Sequence, residues 1–369
     1  VINASVPGTN SDSVNGVLTL DTTCIQRAAL LLTHNAVVMG FGGCHSGWVV
    51  SYDATSLAQL GVFNMSPNDD GYGTYLGAGG VWMGGGGPAA DSLGNVYVTT
   101  GNGPYDGDTA FGDSVLKFDT QLHLLDHFTP FNYSFLQCKD TDLAAGGILL
   151  IPGSQQVLAG GKEGKLYLVN TDQMGGEQDN DAGAAQTLWF EADLSAPYSA
   201  TCTDNLGNVL TSDINSYEIF GTGAFFNNNV YLGITPTLPG VPAPIRQFSY
   251  ASGQLTPGAF ASDSIGESSY GSTPFVSANG TTNGVVWMID HGDPVQRFSS
   301  PTAAILRAYD ATNVTSELYN SSQNSADTAG FGIKFTAPAV ANGKVFFSTA
   351  HDPSSATNPA GEIDIYGLK

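Results

Sequence analysis

Charge is what this chain has least of. Only 12% of its 369 residues are Asp, Glu, Lys or Arg, and Lys and Arg together number 11 against 33 acidic residues, a formal net charge of −22. So acidic a surface repels phosphate backbones and anionic membranes, which excludes a nucleic-acid-binding role. The acids are scattered and not blocked, the pattern of a solvated surface. No apolar run reaches the ~18 residues that a membrane-spanning helix needs, so no membrane span is expected. No stretch of about ten residues repeats apolar positions at three and four, so helix content should be low. There is no CxxC, no Cys/His cluster for zinc and no G-x-S-x-G elbow with a nucleophile and base. "GAGGVWMGGGG" is no phosphate loop, because no helical pattern follows it.

Cysteine is scarce but even in number: Cys24, Cys44, Cys138 and Cys202. Four cysteines allow three pairings, compatible with two disulfides in an oxidising compartment, and nearness in sequence favours Cys24 with Cys44. Six N-x-S/T triplets, at Asn3, Asn64, Asn132, Asn279, Asn313 and Asn320, are glycosylation acceptors if the chain passes a eukaryotic secretory pathway. We expect an extracellular, secreted glycoprotein. The chain starts at Val1, and "VINASVPGTN" reads as the middle of something, so a preceding N-terminal part is expected.

What is abundant is Gly (47), Pro (18) and aromatic residues (10%), the profile of an all-β chain with many tight turns. "YDATSLAQL" at residue 52 has a near twin, "YDATNVTSEL", at residue 309. Between and around them a strand, a turn or insertion, a second strand ending in aromatic-Asp and a polar turn recur. The copies begin at "AVVMGF", "NVYVTT", "QVLAGG", "NVYLGI", "VVWMID" and "KVFFST", six in all. Alternation such as Val96, Val98 and Leu116, Phe118 marks strands with one buried face. A single hairpin cannot bury that face; sheets repeated about an axis can, with only short edges exposed. The expected fold is a β-propeller of four-stranded antiparallel blades, one domain over 1–369, with roughly 60 residues per unit and long loops. In the corner, Tyr52 should pack between sheets, Asp53 should accept bonds from the turn, and Leu60 and Phe63 should re-enter the core. Tyr309, Asp310, Leu318 and Tyr319 should repeat those roles.

This corner resembles the repeat of the quinoprotein (PQQ) alcohol dehydrogenase-like β-propellers, commonly eight-bladed, which implies about two N-terminal blades outside this chain. The resemblance is sharpest over residues 79–166. There Trp82, after a Gly pair, matches the Trp that stacks under the quinone. Asn102 in "TTGNGP" matches the calcium-bound Asn, Asp142 in "DTDLAAG" the general base, and Lys162 in "GGKEGKLY" the cation that bonds the quinone oxygens. Where the family carries a calcium-binding Glu, before "GWVVSYDA", this chain has Cys44 and His45. The resemblance implies a divergent quinoprotein oxidoreductase acting on an alcohol or sugar with PQQ and calcium. The alternative is a non-catalytic extracellular propeller that binds a glycan or protein partner through its loops. A third reading makes the chain one part of a propeller completed by a separate N-terminal fragment.

Each residue also has a plainer role: Trp82 as packing at a blade junction, Asn102 as a turn residue, Asp140 and Asp142 as solvated acids, Lys162 as a surface charge. "YDGDTAFGD" (Asp106, Asp108, Asp113) and "EQDNDAG" (Asp179, Asp181) resemble calcium-loop fragments without the full spacing, so solvated loops are expected. His123 and His127 lie in a strand-turn-strand pattern and should not form a metal pair.

Overall fold

A computed structural model describes residues 2–69, 78–190, 196–233, 235–236, 245–261, 272–291, 302–351 and 361–367. The chain forms two compact units, Val1–Asn215 and Ser216–Lys369.

Three sheets build the first unit. The first runs Leu31–Thr33, Ala36–Phe41, Trp48–Asp53 and Gln59–Asn64 in sequence order. The second follows with Ala89–Ala90, Val96–Thr99, Val115–Phe118 and Leu124–Thr129, its last strand also pairing in parallel with Gly176–Glu177. The third has Ile148–Leu150, Gln156–Gly160, Lys165–Asn170 and Gln186–Trp189. A hairpin, Tyr198–Thr203 with Val209–Ile214, is tied to the helix Tyr133–Lys139 by the Cys138–Cys202 disulfide; Cys24 pairs with Cys44, as favoured from sequence. In the second unit lie two four-stranded sheets, Ala224–Phe226 to Gln254–Ala261 and Phe275–Asn279 to Asn313–Asn320, and a three-stranded one, Ala339–Ala341, Lys344–Ala350 and Gly361–Gly367. Each of the six sequence repeats therefore supplies the middle strands of one sheet.

One-sided burial does not hold for those middle strands. Val96–Thr99 and Gln156–Gly160 are buried at every residue, not at alternate ones, because neighbouring sheets cover both faces. Their composition is accordingly near-continuously apolar, as for any strand covered twice. Tyr97, Phe118, Phe128 and Tyr167 are fully buried in the core shared by the first three sheets. Each such side chain contributes roughly 1.5–3 kcal/mol of apolar burial.

The twin corners are built alike. Asp53 Oδ1 accepts from Thr55 N at 3.0 Å and Ser56 N at 2.7 Å, and the bonds from Ser56 hold its carboxyl below the usual range. Asp310 Oδ1 accepts from Thr312 N at 2.7 Å. Both turns lead into a β-bulge, since Tyr52 faces Gln59 while Ser51 faces Gly61, and Tyr309 faces Glu317 while Ala308 faces Tyr319. The skipped residues are Leu60 and Leu318. Leu318 does not return to the core as expected: it is 54% exposed, because the bulge leaves it unpaired and turns it outward. The corner as a whole is structural.

Candidate active site

In every antiparallel sheet of the first unit, two kinds of connection fall at one end: from the second strand to the third, and from the fourth strand to the next sheet. Residues 42–47, 100–114, 130–147 and 161–164 are such connections, as is the segment that follows Asn64 and holds Trp82. Trp82, Asn102, Asp142 and Lys162, spread over 80 positions of sequence, are all on that end.

Local structure aims each one. The helix Tyr133–Lys139 stops at Asp140, whose left-handed backbone (φ 59°) sends its N–H back to Gln137 and Leu136; short polar side chains tolerate that conformation. The turn delivers Asp140 and Asp142 to the site. Asp142 Oδ1 accepts from Asn102 N at 2.9 Å, and Asp142 Oδ2 pairs with Lys162 Nζ at 2.5 Å. Lys162 Nζ also reaches Asp140 Oδ1 at 3.1 Å, and Asn102 Nδ2 donates to the same oxygen at 2.8 Å. Burial works to lower the Lys162 ammonium, but Asp142 and then Asp140 outweigh it and hold it above the ordinary lysine range.

Gly101 lets these groups meet. A Cβ there would lie 2.3 Å from Asp142 Oδ1 and 3.0 Å from Trp82 Cδ1, closer than real side chains approach. Gly42 and Gly43 play the same part at the six-membered ring of the half-buried indole, where a Cβ would come within 3.0 and 3.2 Å. The Arg27 guanidinium lies 4.6 Å from the Trp82 ring centroid, a cation–π contact that nothing in the sequence pattern announced.

Among the described residues, Asn102 Oδ1 is buried without a hydrogen-bond partner. Leaving a buried amide oxygen unpaired costs about 1–3 kcal/mol, so this atom is aimed at something the protein itself does not provide. Its neighbours are the carboxylates of Asp140 and Asp142, a donor chemistry suited to a hard cation. Across the site, the expected acidic ligand is replaced: Cys44 is closed into its disulfide with Cys24, and His45 Nε2 is 3.0 Å from Ser11 Oγ. Among the described residues no cluster of three His, Cys, Asp or Glu is arranged to hold a metal.

Two acids are not the solvated loop residues expected. Asp113 is fully buried, accepts from Leu143 N at 3.0 Å through Oδ1, and has Oδ2 unpaired among the described residues. Burial, and next the charge of Asp142, push its carboxyl well up. Its own N–H donates to Gly101 O at 2.8 Å, so it ties the Asn102 turn to the Asp142 turn. Asp181 is also buried, ion-paired with Lys165 at 2.5 Å. By contrast Asp106 is a turn residue, accepting from the N–H groups of Asp108, Thr109 and Ala110. His123 and His127 are engaged separately, with Asp119 and with Tyr105.

Sheets of this kind, each made of four antiparallel strands in sequence order and repeated along the chain, are the blades of a β-propeller, and that is the fold class of the protein. Among solved structures it is similar to a quinohemoprotein alcohol dehydrogenase from Comamonas testosteroni, at a TM-score of 0.52 and 15% identity over 89% of this chain and 56% of that one. It is also similar to quinohemoprotein alcohol dehydrogenase ADHIIG from Pseudomonas putida HK5, at 0.51 and 13% over 95% and 62%. The chain thus spans less than two thirds of the length of either, and at these identities the likeness is one of fold. No protein-family model and no curated protein matches the sequence.

Proposed function

We propose that the protein is a secreted quinoprotein-type oxidoreductase that oxidises an alcohol or sugar with PQQ and calcium. One observation carries this reading: residues far apart in sequence, named by resemblance alone, converge on a single hydrogen-bonded cluster with the Asn102 amide oxygen buried and unpaired at its centre. The residues present fit the group. Trp82 would offer an aromatic surface to a planar ring, Asn102 Oδ1 with the neighbouring carboxylates would hold the cation, and Lys162 would donate to a quinone oxygen. When bound, the quinone supplies a two-electron acceptor for the substrate's hydride. The chain's own part is to hold the substrate hydroxyl against Asp142, which takes its proton, while Lys162 keeps the carboxylate oriented. Two disulfides agree with an oxidising, extracellular setting, and among the described residues no helix is long and apolar enough to cross a membrane.

The test is reconstitution of the full-length protein with PQQ and Ca²⁺. Binding is followed by quenching of tryptophan emission and turnover by dye reduction over alcohols and sugars. Asp142→Asn should keep binding and lower turnover by about 10²–10⁴, the usual share of a general base. Neither quinone binding nor turnover in the intact protein would end the reading. A second reading, a non-catalytic propeller that binds a glycan or protein, is favoured by the Cys24–Cys44 disulfide standing where an acidic ligand is expected. Calcium analysis separates the two: one tightly held Ca²⁺ lost in Asn102→Ala supports the enzyme, and calcium-free protein that retains a glycan or protein ligand supports the binder.

A further inference from the structure

The six N-x-S/T triplets divide into two sets by what their amide nitrogens do. Asn64 is 4% exposed and its Nδ2 donates to Ser46 Oγ at 2.7 Å. Asn132 uses both amide protons, to Glu163 Oε1 at 2.5 Å and Ser212 Oγ at 2.9 Å, and Glu163 is itself buried. Asn320 is 6% exposed, donates to Glu317 Oε1 at 3.2 Å, and caps a short turn by accepting from Ser322 N. A sugar on any of these nitrogens would replace an N–H that the fold uses and would need room where protein is packed.

Asn3, Asn279 and Asn313 differ on every count. All three are exposed, as are the hydroxyl residues of their triplets, Ser5, Thr281 and Thr315. Among the described residues none of their Nδ2 atoms makes a hydrogen bond; Asn313 has only its Oδ1 engaged, by Thr315 Oγ1 at 2.9 Å.

The division follows the sheets. Asn279 opens the turn between Phe275–Asn279 and Thr282–Asp290, and Asn313 closes the turn after Ile305–Asp310, both at the same end of one antiparallel sheet. Asn3 is held at the corresponding end of the first sheet, where its carbonyl accepts from Gln59 Nε2 at 2.7 Å beside the Asp53 turn. Asn64 and Asn320 are the last residues of fourth strands, and Asn132 lies in the connection that leaves a fourth strand. Those are the opposite sheet ends, the kind that carries the candidate active site in the first unit.

We propose that the folded protein carries N-linked glycans at Asn3, Asn279 and Asn313 and none at Asn64, Asn132 or Asn320, so that the sugar sits on the hairpin-turn ends of the sheets and leaves the ends bearing the long connections bare. The donor is an oligosaccharide linked to a lipid diphosphate. The amide nitrogen bonds to C1 of the first sugar, the C1–O bond to the diphosphate breaks, and the amide proton is lost to the base of the transferring enzyme. The inference is independent of the proposed redox activity.

The full chain is expressed through a eukaryotic secretory pathway, the monodisperse folded fraction is deglycosylated enzymatically in ¹⁸O water, and peptides are mapped by mass spectrometry. Label is expected at Asn3, Asn279 and Asn313 alone, and Asn3→Gln with Asn279→Gln and Asn313→Gln together should yield a protein free of N-glycan. Label at Asn64, Asn132 or Asn320 in the folded fraction overturns the assignment, as does the absence of label at all three exposed sites. The wild-type map decides the question even where the triple variant fails to fold.

Discussion

At the scale of single residues, the site is a balance of few charges in a chain that has few. Lys162 is shared between Asp140 and Asp142, and Asp113 sits behind them with no cation of its own. Because burial and Asp142 raise the Asp113 carboxyl in the folded state, the folded protein binds this proton more tightly than the unfolded chain does. Stability from this group is therefore fully present below the ordinary carboxylate value and is lost as pH rises from there toward the raised folded value. Asp113→Asn keeps the oxygen that accepts from Leu143 and removes the titration. The variant should gain stability relative to wild type as pH rises above about 4, read as the difference in urea midpoints between pH 3 and pH 7. A pH-independent difference would show that Asp113 is not titrating in isolation. Arg27 over Trp82 and the burial of Asp113 were not legible in the sequence, because each depends on what packs against it from a distant segment. "FGD" and "QRA" look like any other loop residues.

At the scale of elements, one short helix controls the position of the acids. Tyr133–Lys139 is seven residues long, too short to persist in isolation, and it is pinned by Phe135 and Leu136 against Ile214 and by the Cys138–Cys202 bridge to the hairpin. Its left-handed stop at Asp140 sets where Asp142 arrives. The bridge joins residues 64 apart, a separation for which loss of a disulfide costs about 2–4 kcal/mol. Cys138→Ser with Cys202→Ser should lower the urea midpoint accordingly and also weaken calcium binding, measured by isothermal titration, since the Asp140–Asp142 turn loses its anchor. Full stability and unchanged affinity would mean that the helix is held by its apolar contacts alone. The helix escaped sequence reading because a two-turn segment shows too little periodicity. The sheets did not escape, since their repeat is written six times, and the twin corners share even their bulge.

At the scale of the whole molecule, a net charge of −22 works against compactness through self-repulsion. Screening shortens the reach of that repulsion from ~30 Å at 0.01 M salt to ~8 Å at 0.15 M. The melting temperature should therefore rise between 10 and 150 mM NaCl in the presence of chelator, followed by circular dichroism. A fall would mean that exposed ion pairs such as His351–Glu362 outweigh the general repulsion. The chelator matters, because calcium bound at Asn102 would raise the melting temperature by mass action and not by screening.

The sequence by itself determined the class of structure: a strand-turn-strand pattern repeated six times, polar corners closed by Asp, and glycine where chains must approach closely. It also held the order of Trp82, Asn102, Asp142 and Lys162, because order along a chain survives divergence. Only the tertiary structure decided that these four lie at one end of their sheets, that Cys24 closes on Cys44 and removes a position from the site, and that three of six glycosylation triplets are built into the packing. The physical reason is one of range. Periodicity and turn chemistry are local properties carried by a few neighbouring residues, whereas the burial of a particular Asp or Asn is set by segments tens of residues away that its own neighbourhood does not encode.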